Sequence, residues 1–396
     1  MKLIHYILVC VLGCLMMVGI FLASWMSSKQ ADTEPEVKPI PPALGMSDEW
    51  PMFHGSPGLE GRAAGELPDA LQLAWEFKTD DAVVSSAAVA GGVVYVGSRD
   101  GNLYALELAD GKERWRYDTG DAVESSPLVL NDTVYVGSSN GFLFAIGTAQ
   151  GEFKWKYETG AEILGGVNYA AAEGESGVRI LVGSYDNNLY SIDAATGEEV
   201  WVYSSDNFIN GMPAVSDGFA VFGGCDAQVH FVSIATGEAA FRFDAGSYIA
   251  GSALFADGRV YVGHYEGEVI CIDAETQADL WRYEGEAPFF STAALAEDRL
   301  VIGCQDQLLH CVKLDSGDKL WTFPTQGGVD SSPVIVGDKV VVGSDDGFLY
   351  LVGLESGEEL WSYEIGEYVQ ASPAVAGGRV IIGAEDGVVY AFEPKK

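Results

Sequence analysis

The chain has 396 residues, room for two or three ordinary domains, and its 22 basic against 58 acidic residues give a net charge of −36. Such a charge repels phosphate backbones and anionic lipid surfaces at long range, which argues against nucleic acid as a partner. A scattered acidic surface otherwise speaks only for solubility or a saline habitat.

Leu3 to Met26 is almost wholly apolar and, at about 20 residues, long enough to cross a bilayer as a helix. Lys2 and the amino terminus flank its near side, the orientation that leaves the remainder outside the cytoplasm. Residues 1–26 therefore read as a retained inner-membrane anchor with the rest of the chain in the periplasm. Two alternatives use the same stretch. Cleavage as a signal peptide meets no clean pair of small residues between Leu22 and Ser28. Lipoprotein processing at Cys14, in Val11-Leu12-Gly13-Cys14, would leave the apolar Leu15 to Trp25 beyond the lipid. Residues 27–49 form a linker: Pro35, Pro39, Pro41 and Pro42 among Asp32, Glu34 and Glu36 cannot bury a core.

From Trp50 onward short apolar runs alternate with glycine, and one period governs them. Trp75, Trp115, Trp155, Trp201, Trp281, Trp321 and Trp361 fall on a lattice in which Phe241 takes the remaining place, with steps of 40, 40, 46, 40, 40, 40 and 40 residues. A period that regular means one supersecondary unit copied eight times. In one copy, Ser125 to Leu130, Thr133 to Gly137, Phe142 to Ile146 and Phe153 to Tyr157 read as four short antiparallel strands joined by turns at Asn131-Asp132, Ser139-Asn140-Gly141 and Gly151. Runs such as Val93-Val94-Tyr95-Val96 are apolar on both faces, which fits strands sandwiched between neighbouring sheets. Stacking eight such sheets radially predicts an all-β fold, a single eight-bladed β-propeller over residues 50–396.

The extra length in the 46-residue step lies near Ala171 to Gly177, between the first and second strands of its unit. The chain stops after a third-type strand, Val388 to Phe392, whereas Leu73 to Phe77 is a fourth-type strand without companions. The beginning should therefore complete the last blade. Of the cysteines outside the anchor, Cys225 and Cys304 occupy one repeat position and Cys271 and Cys311 another, too far apart to bridge. Cys304 and Cys311 share a hairpin, but a turn at Asp306-Gln307 would set Cys304 opposite Leu309 and the sulfurs out of register. Buried free thiols are expected.

The unit ending Ile192-Asp193-Ala194-Ala195-Thr196-Gly197-Glu198-Glu199-Val200-Trp201, with copies ending at Trp321 and Trp361, resembles the tryptophan-docking repeat of pyrroloquinoline-quinone (PQQ) type propellers. Glycine supplies the positive φ of the turn, and the outer-strand indole packs against the adjacent blade. The lead-in Trp50-Pro51-Met52-Phe53-His54-Gly55 is similar to that of many bacterial PQQ-like repeat proteins. Two branches matter. The quinoprotein dehydrogenases hold PQQ and calcium on the axis, typically near adjacent cysteines, and this chain has no adjacent pair. BamB-like envelope scaffolds match in length and blade number, although no convincing lipoprotein signal accompanies them here.

Positions that break the repeat mark candidate contacts. At the opening of each first strand one ring reads Val84, Glu124, Leu164, Asn210, Ala250, Phe290, Asp330, Gln370. Two residues earlier come Ala82, Ala122, Glu162, Phe208, Tyr248, Pro288, Gly328, Tyr368. Both rings should surround the channel mouth, where Glu124, Glu162, Phe208, Asn210, Tyr248, Phe290, Asp330, Tyr368 and Gln370 combine carboxylates and aromatics suited to gripping a peptide or small ligand. No catalytic, cofactor or metal residues are assigned. Gly137-Ser138-Ser139-Asn140-Gly141 has the G-x-S-x-G pattern but sits in a hairpin. Pairs such as Asp100-Gly101 are turn residues and not calcium loops. His230 and His310 replace Tyr104 or Tyr190 in blade packing, and His264 beside Glu266 makes a poor metal site. The expected function is that of a non-catalytic, monomeric periplasmic scaffold binding envelope proteins, including outer-membrane assembly machinery, without a cofactor. The alternatives are a PQQ-dependent alcohol or sugar dehydrogenase and a ligand-sensing or carbohydrate-binding propeller.

Overall fold

In the computed structural model, residues 49–171 and 177–395 are described. The expected anchor at Leu3 to Met26, the linker up to residue 48, Cys10, Cys14 and the middle of the insertion, residues 172–176, lie outside the described residues. Among the described residues no helix is long and apolar enough to cross a membrane; their regular structure is β throughout.

Eight sheets make up the array, each built on four antiparallel strands; one carries an added parallel strand, Arg62–Ala63, and the last takes its outer strand from the opening of the propeller. The first blade runs Ala88–Ala90, Val93–Gly97, Asn102–Glu107 and Glu113–Asp118. The unit read in detail from sequence appears as Leu128–Leu130, Thr133–Gly137, Phe142–Gly147 and Phe153–Glu158. As predicted for Leu73 to Phe77, the opening segment is the outer strand of the last blade, running longer than expected as Leu71–Lys78, antiparallel to Val388–Pro394. The second strand Val93–Gly97 is buried along its whole length, because a neighbouring sheet covers each face.

Two repeated contacts fix the ring. Each second strand ends on a glycine that touches the next blade: an added Cβ would lie 2.4 Å from Val123 at Gly97 and 2.1 Å from Ile163 at Gly137. The series ends with Gly383 against Val83, 2.4 Å by the same measure, so the eighth blade meets the first. Around the axis a belt of hydroxyls accepts backbone N–H groups from the preceding blade, Ser252 to Thr292 at 3.3 Å, Thr292 to Ser332 and Ser332 to Ser372 at 2.9 Å. Ser372 N–H closes it by donating to Ser86 Oγ at 2.9 Å.

At the rim, the indole N–H groups of Trp75, Trp115, Trp155, Trp201, Trp281 and Trp321 each donate to a carbonyl of the next blade, for example Trp75 to Leu108 and Trp321 to Leu354, both at 2.9 Å. The ring lies on that blade's turn glycine, where a Cβ would meet Trp321 at 2.7 Å from Gly357. The one lattice exception is paired: where Phe241 replaces tryptophan, the docking position carries Gln277 at φ 60 in place of glycine. Without an indole overhead, a side chain fits there.

Cys271, Cys304 and Cys311 are buried, Cys225 is half-buried, and all four are free thiols; contrary to expectation Cys225 does not share the repeat position of Cys304, which Gly224 holds, but stands one residue on, at that of Gln305. One register differs from expectation: Leu309 pairs with Gly303, and Cys304 N–H donates to Leu308. The shift by one residue moves Cys304 to the face of Leu308 and His310, opposite to that of Cys311.

Candidate functional site

The entry to each first strand lies beside the turn between strands two and three. Arg99 N–H donates to Ala82 O at 2.9 Å, Tyr265 to Tyr248 at 2.9 Å and Glu385 to Tyr368 at 3.0 Å. The residue in the middle of each entry, Val83, Val123, Ile163, Ile209, Ile249, Phe289, Val329 or Val369, is fully buried. Period-two alternation then turns its two neighbours away from the core. Glu124, Asn210, Phe290, Asp330 and Gln370 are accordingly half-buried, while Glu162, Phe208, Tyr248 and Tyr368 are exposed.

The structure adds a third ring that the sequence reading missed: Arg99, Ser139, Tyr185, Cys225, Tyr265, Gln305, Asp345 and Glu385. It varies from blade to blade as the other two do, so the same criterion would have found it. These side chains reach across to the following blade. Arg99 pairs with Glu124 at 3.1 Å and, backwards, with Glu385 at 3.2 Å. Tyr185 stacks on Phe208 at 5.1 Å and Tyr265 tilts against Phe290 at 5.2 Å between centroids. Gln305 donates to Asp330, whereas Cys225 stays within its own blade, its Sγ 3.3 Å from Asn210 Nδ2.

The mouth is thus two-sided. Blades three to six present Tyr185, Phe208, Tyr248, Tyr265 and Phe290 with Glu162 among them, whereas blades seven, eight, one and two present Asp330, Asp345, Glu385, Arg99 and Glu124 with Tyr368 among them. Burial, reinforced by the charge of Asp330 and opposed by Gln370, pushes the Asp345 carboxyl up to about 6. Burial likewise raises Asp330 against its hydrogen bond from Gln305. Asp345 Oδ1 and Asn210 Oδ1 have no protein partner. An acceptor-rich arc beside a row of rings suits a partner that brings N–H donors or a cation next to apolar groups.

The opposite end of the axis is closed. The innermost strands aim backbone N–H groups inward, and the lead-in supplies acceptors blade by blade. Val129 donates to Pro51 at 2.7 Å, Val215 to Pro57 at 2.7 Å, Phe255 to Gly58 at 2.8 Å, Leu295 to Glu60 at 2.8 Å and Ile335 to Gly61 at 2.8 Å. Trp50 bridges Val89, and Arg62–Ala63 then runs parallel to Val334–Val336 as a fifth strand. In blade three the side chain of Asn168 serves instead, donating to Pro57 O at 2.9 Å. Met52, His54 and Leu59 are buried in this strap. Burial holds the His54 imidazole down at about 4. A cleft of about 570 Å³ beside the strap, lined by Met52, Tyr95, Arg114 and Tyr169 among others, lies on this face and away from the mouth.

The hairpin turns carry a repeated pair. Tyr104 donates to Asp100 at 2.7 Å and Tyr350 to Asp346 at 2.8 Å; His230 and His310 replace the tyrosine and keep the carboxylate, each with Nε2 3.0 Å from Asp226 or Asp306. His264 Nε2 faces Glu268 at 3.1 Å, while Glu266 N–H donates to its Nδ1 at 3.2 Å. In blade six the donor atoms of Cys304, Asp306 and His310 lie within 4.8 Å of one another. Gly137 to Gly141 forms a hairpin turn, with Gly141 N–H on Ser138 O at 3.0 Å, and not the strand-to-helix elbow that its pattern needs.

Against this geometry, the family model described as outer membrane protein assembly factor BamB matches residues 69–175, 166–250, 226–310 and 305–396. No curated protein matches the sequence significantly. Among solved structures, BamB from Moraxella catarrhalis superposes with a TM-score of 0.69 at 18% identity, over 82% of this chain and 100% of that one. The computationally designed Ika8 protein gives 0.72 at 17%, over 81% and 99%. A europium-containing methanol dehydrogenase gives 0.75 at 13%, over 88% and 98%. At these identities the structures share the fold.

Proposed function

The chain belongs to the family of the outer membrane protein assembly factor BamB, and from that premise we propose that it is a non-catalytic scaffold that binds cell-envelope proteins through its open mouth. The observation that carries the reading is the two-sided mouth. Phe208 and Tyr248 are 44% and 58% exposed, opposite an arc of carboxylates in which Tyr368, 55% exposed, stands as one further ring, on an array whose other end is strapped. Rings exposed at that level are the residues that anchor protein interfaces when covered. The apolar stretch from Leu3 to Met26, with Lys2 before it, would tether the propeller to the inner membrane and place the mouth in the periplasm.

The test is photo-crosslinking in intact envelopes from Tyr248 and Tyr368, each replaced by a photoreactive phenylalanine, with Phe153 on an outer strand as control. Adducts with outer-membrane assembly components from the mouth positions alone support the scaffold. Crosslinks that are absent, or equally strong from Phe153, sink it. Retention on glycans without envelope proteins would favour the carbohydrate-binding alternative.

The likeness to a dehydrogenase raises an enzymatic reading, which the mouth's chemistry opposes. PQQ is a tricarboxylate and calls for cationic partners. Across the three rings the only basic side chain is Arg99, already held by Glu124 and Glu385. Stoichiometric quinone uptake with calcium, seen in an absorbance scan with dye-linked activity, would reverse this ranking.

A further inference from the structure

We propose that blade six holds one thiophilic divalent cation of the zinc type, bound by Cys304 Sγ, the Asp306 carboxylate and His310 Nε2. This site is independent of the mouth and of the scaffold reading.

The repeat lets each ligand be compared with its seven counterparts. At the first position stand Ser98, Ser138, Ser184, Gly224, His264, Cys304, Ser344 and Ala384; at the third, Tyr104, Phe144, Tyr190, His230, Ile270, His310, Tyr350 and Tyr390. Only blade six sets a thiol and an imidazole on either side of the turn carboxylate. Blade four carries Asp226 and His230 with Gly224 in the thiol's place, an internal control lacking one ligand.

The three donor atoms lie within 4.8 Å of one another. A tetrahedral ion with bonds of about 2.0–2.3 Å needs them about 3.3–3.8 Å apart, so side-chain shifts suffice. Cys304 Sγ now lies 3.2 Å from Ala287 O, the bond that Ser98 and Ser138 make in their own blades; binding would break it, and a water would complete the tetrahedron. Thiolate and carboxylate together cancel the charge of a divalent ion, so the bound state places no net charge in a buried site. Thiolate, imidazole and carboxylate select zinc-like ions over magnesium or calcium.

The protons balance. Tyr283 lies 2.8 Å from His310 Nδ1, so in the free protein its hydroxyl donates there and Nε2–H donates to Asp306. On binding, the Nε2 proton is given up, Nδ1 takes one, and Tyr283 turns from donor to acceptor. The thiol proton leaves to solvent, so one proton is released per ion. Because the thiol proton must leave, binding tightens as pH rises.

The experiment titrates cobalt into the metal-stripped full chain and then displaces it with zinc. One equivalent should raise a thiolate-to-cobalt charge-transfer band, and zinc should erase it and raise the melting midpoint. Cys304→Ser and His310→Tyr install residues that other blades already carry in these places, so the blade stays folded. Each should abolish the band, and Tyr283→Phe should weaken binding about 10-fold through the outer shell. No band at one equivalent, or a band that survives both substitutions, overturns the site.

Discussion

Acid should weaken this propeller through His54. The imidazole is 1% exposed, its Nδ1 lies 3.1 Å from Leu59 O, and Nε2 has no protein partner. Burial lowers its pKa from 6.5 to about 4. The unfolded chain therefore binds a proton as pH falls through 6.5, while the native form refuses it until about 4. The stability from the neutral ring is fully present above 6.5 and is lost across that window as pH falls. Between pH of about 7.5 and 4.5 the two-state expression gives a loss of about 2.5 kcal/mol. For ~350 residues with an unfolding entropy of about 0.7 kcal/mol per kelvin, this is about 3.5 °C in the melting midpoint. The many carboxylates also titrate in this range, so the quantity to measure is the difference between wild type and His54→Leu by calorimetry at both pH values. Wild type should lose about 3.5 °C more than the variant. Parallel profiles would show that the strap does not bury an unprotonated histidine, and the reasoning would fail.

Gly357→Ala and Gly378→Ala place a side chain at nearly equal positive φ, 69° and 71°, but only the first meets an indole, Trp321 at 2.7 Å. Both should lose about 1–2 kcal/mol to backbone strain, and Gly357→Ala a further ~2 kcal/mol from displacing the ring; equal urea midpoints would contradict the docking role. Asp345, raised to about 6 from 3.8, contributes stability below its unfolded value that is lost as pH rises through 6. Asp345→Asn should therefore stabilise above that pH, by at most about 1 kcal/mol after solvent screening, with the gain vanishing near pH 4 in thermal melts. Replacing Leu73 to Phe77 with a Gly/Ser linker removes the rings of Trp75 and Phe77 from the closing strand. The loss should be about 7–10 kcal/mol, or about 10 °C, against no change on deleting Lys395 and Lys396.

The repeat was legible in sequence because its chemistry is local. A tryptophan, a turn glycine and two apolar runs recur every 40 residues, and each copy solves the same packing problem. Blade number and closure by a strand at Leu73 to Phe77, observed as Leu71–Lys78, were legible in sequence, and the strand limits of the unit read in detail to within three residues, its first strand beginning at Leu128 and not Ser125. The pairing of Phe241 with Gln277 was not legible, because the two residues stand 36 positions apart and meet only across a blade interface. The third mouth ring needed the hydrogen bond from Arg99 to Ala82 to set it beside the other two.

A single residue of register separates the sequence reading of blade six from its structure. With Cys304 opposite Leu309, Cys304 and His310 would fall on opposite faces; with Gly303 opposite Leu309 they share one, since a slip of one residue exchanges the faces of a strand. Sequence by itself determined the eightfold β architecture, whose signals repeat within each unit and reinforce one another. The tertiary structure alone decided what meets across blades and around the axis: the strap's path, the two-sided mouth and the company of Cys304. Those contacts depend on register and closure, which no period along the chain encodes.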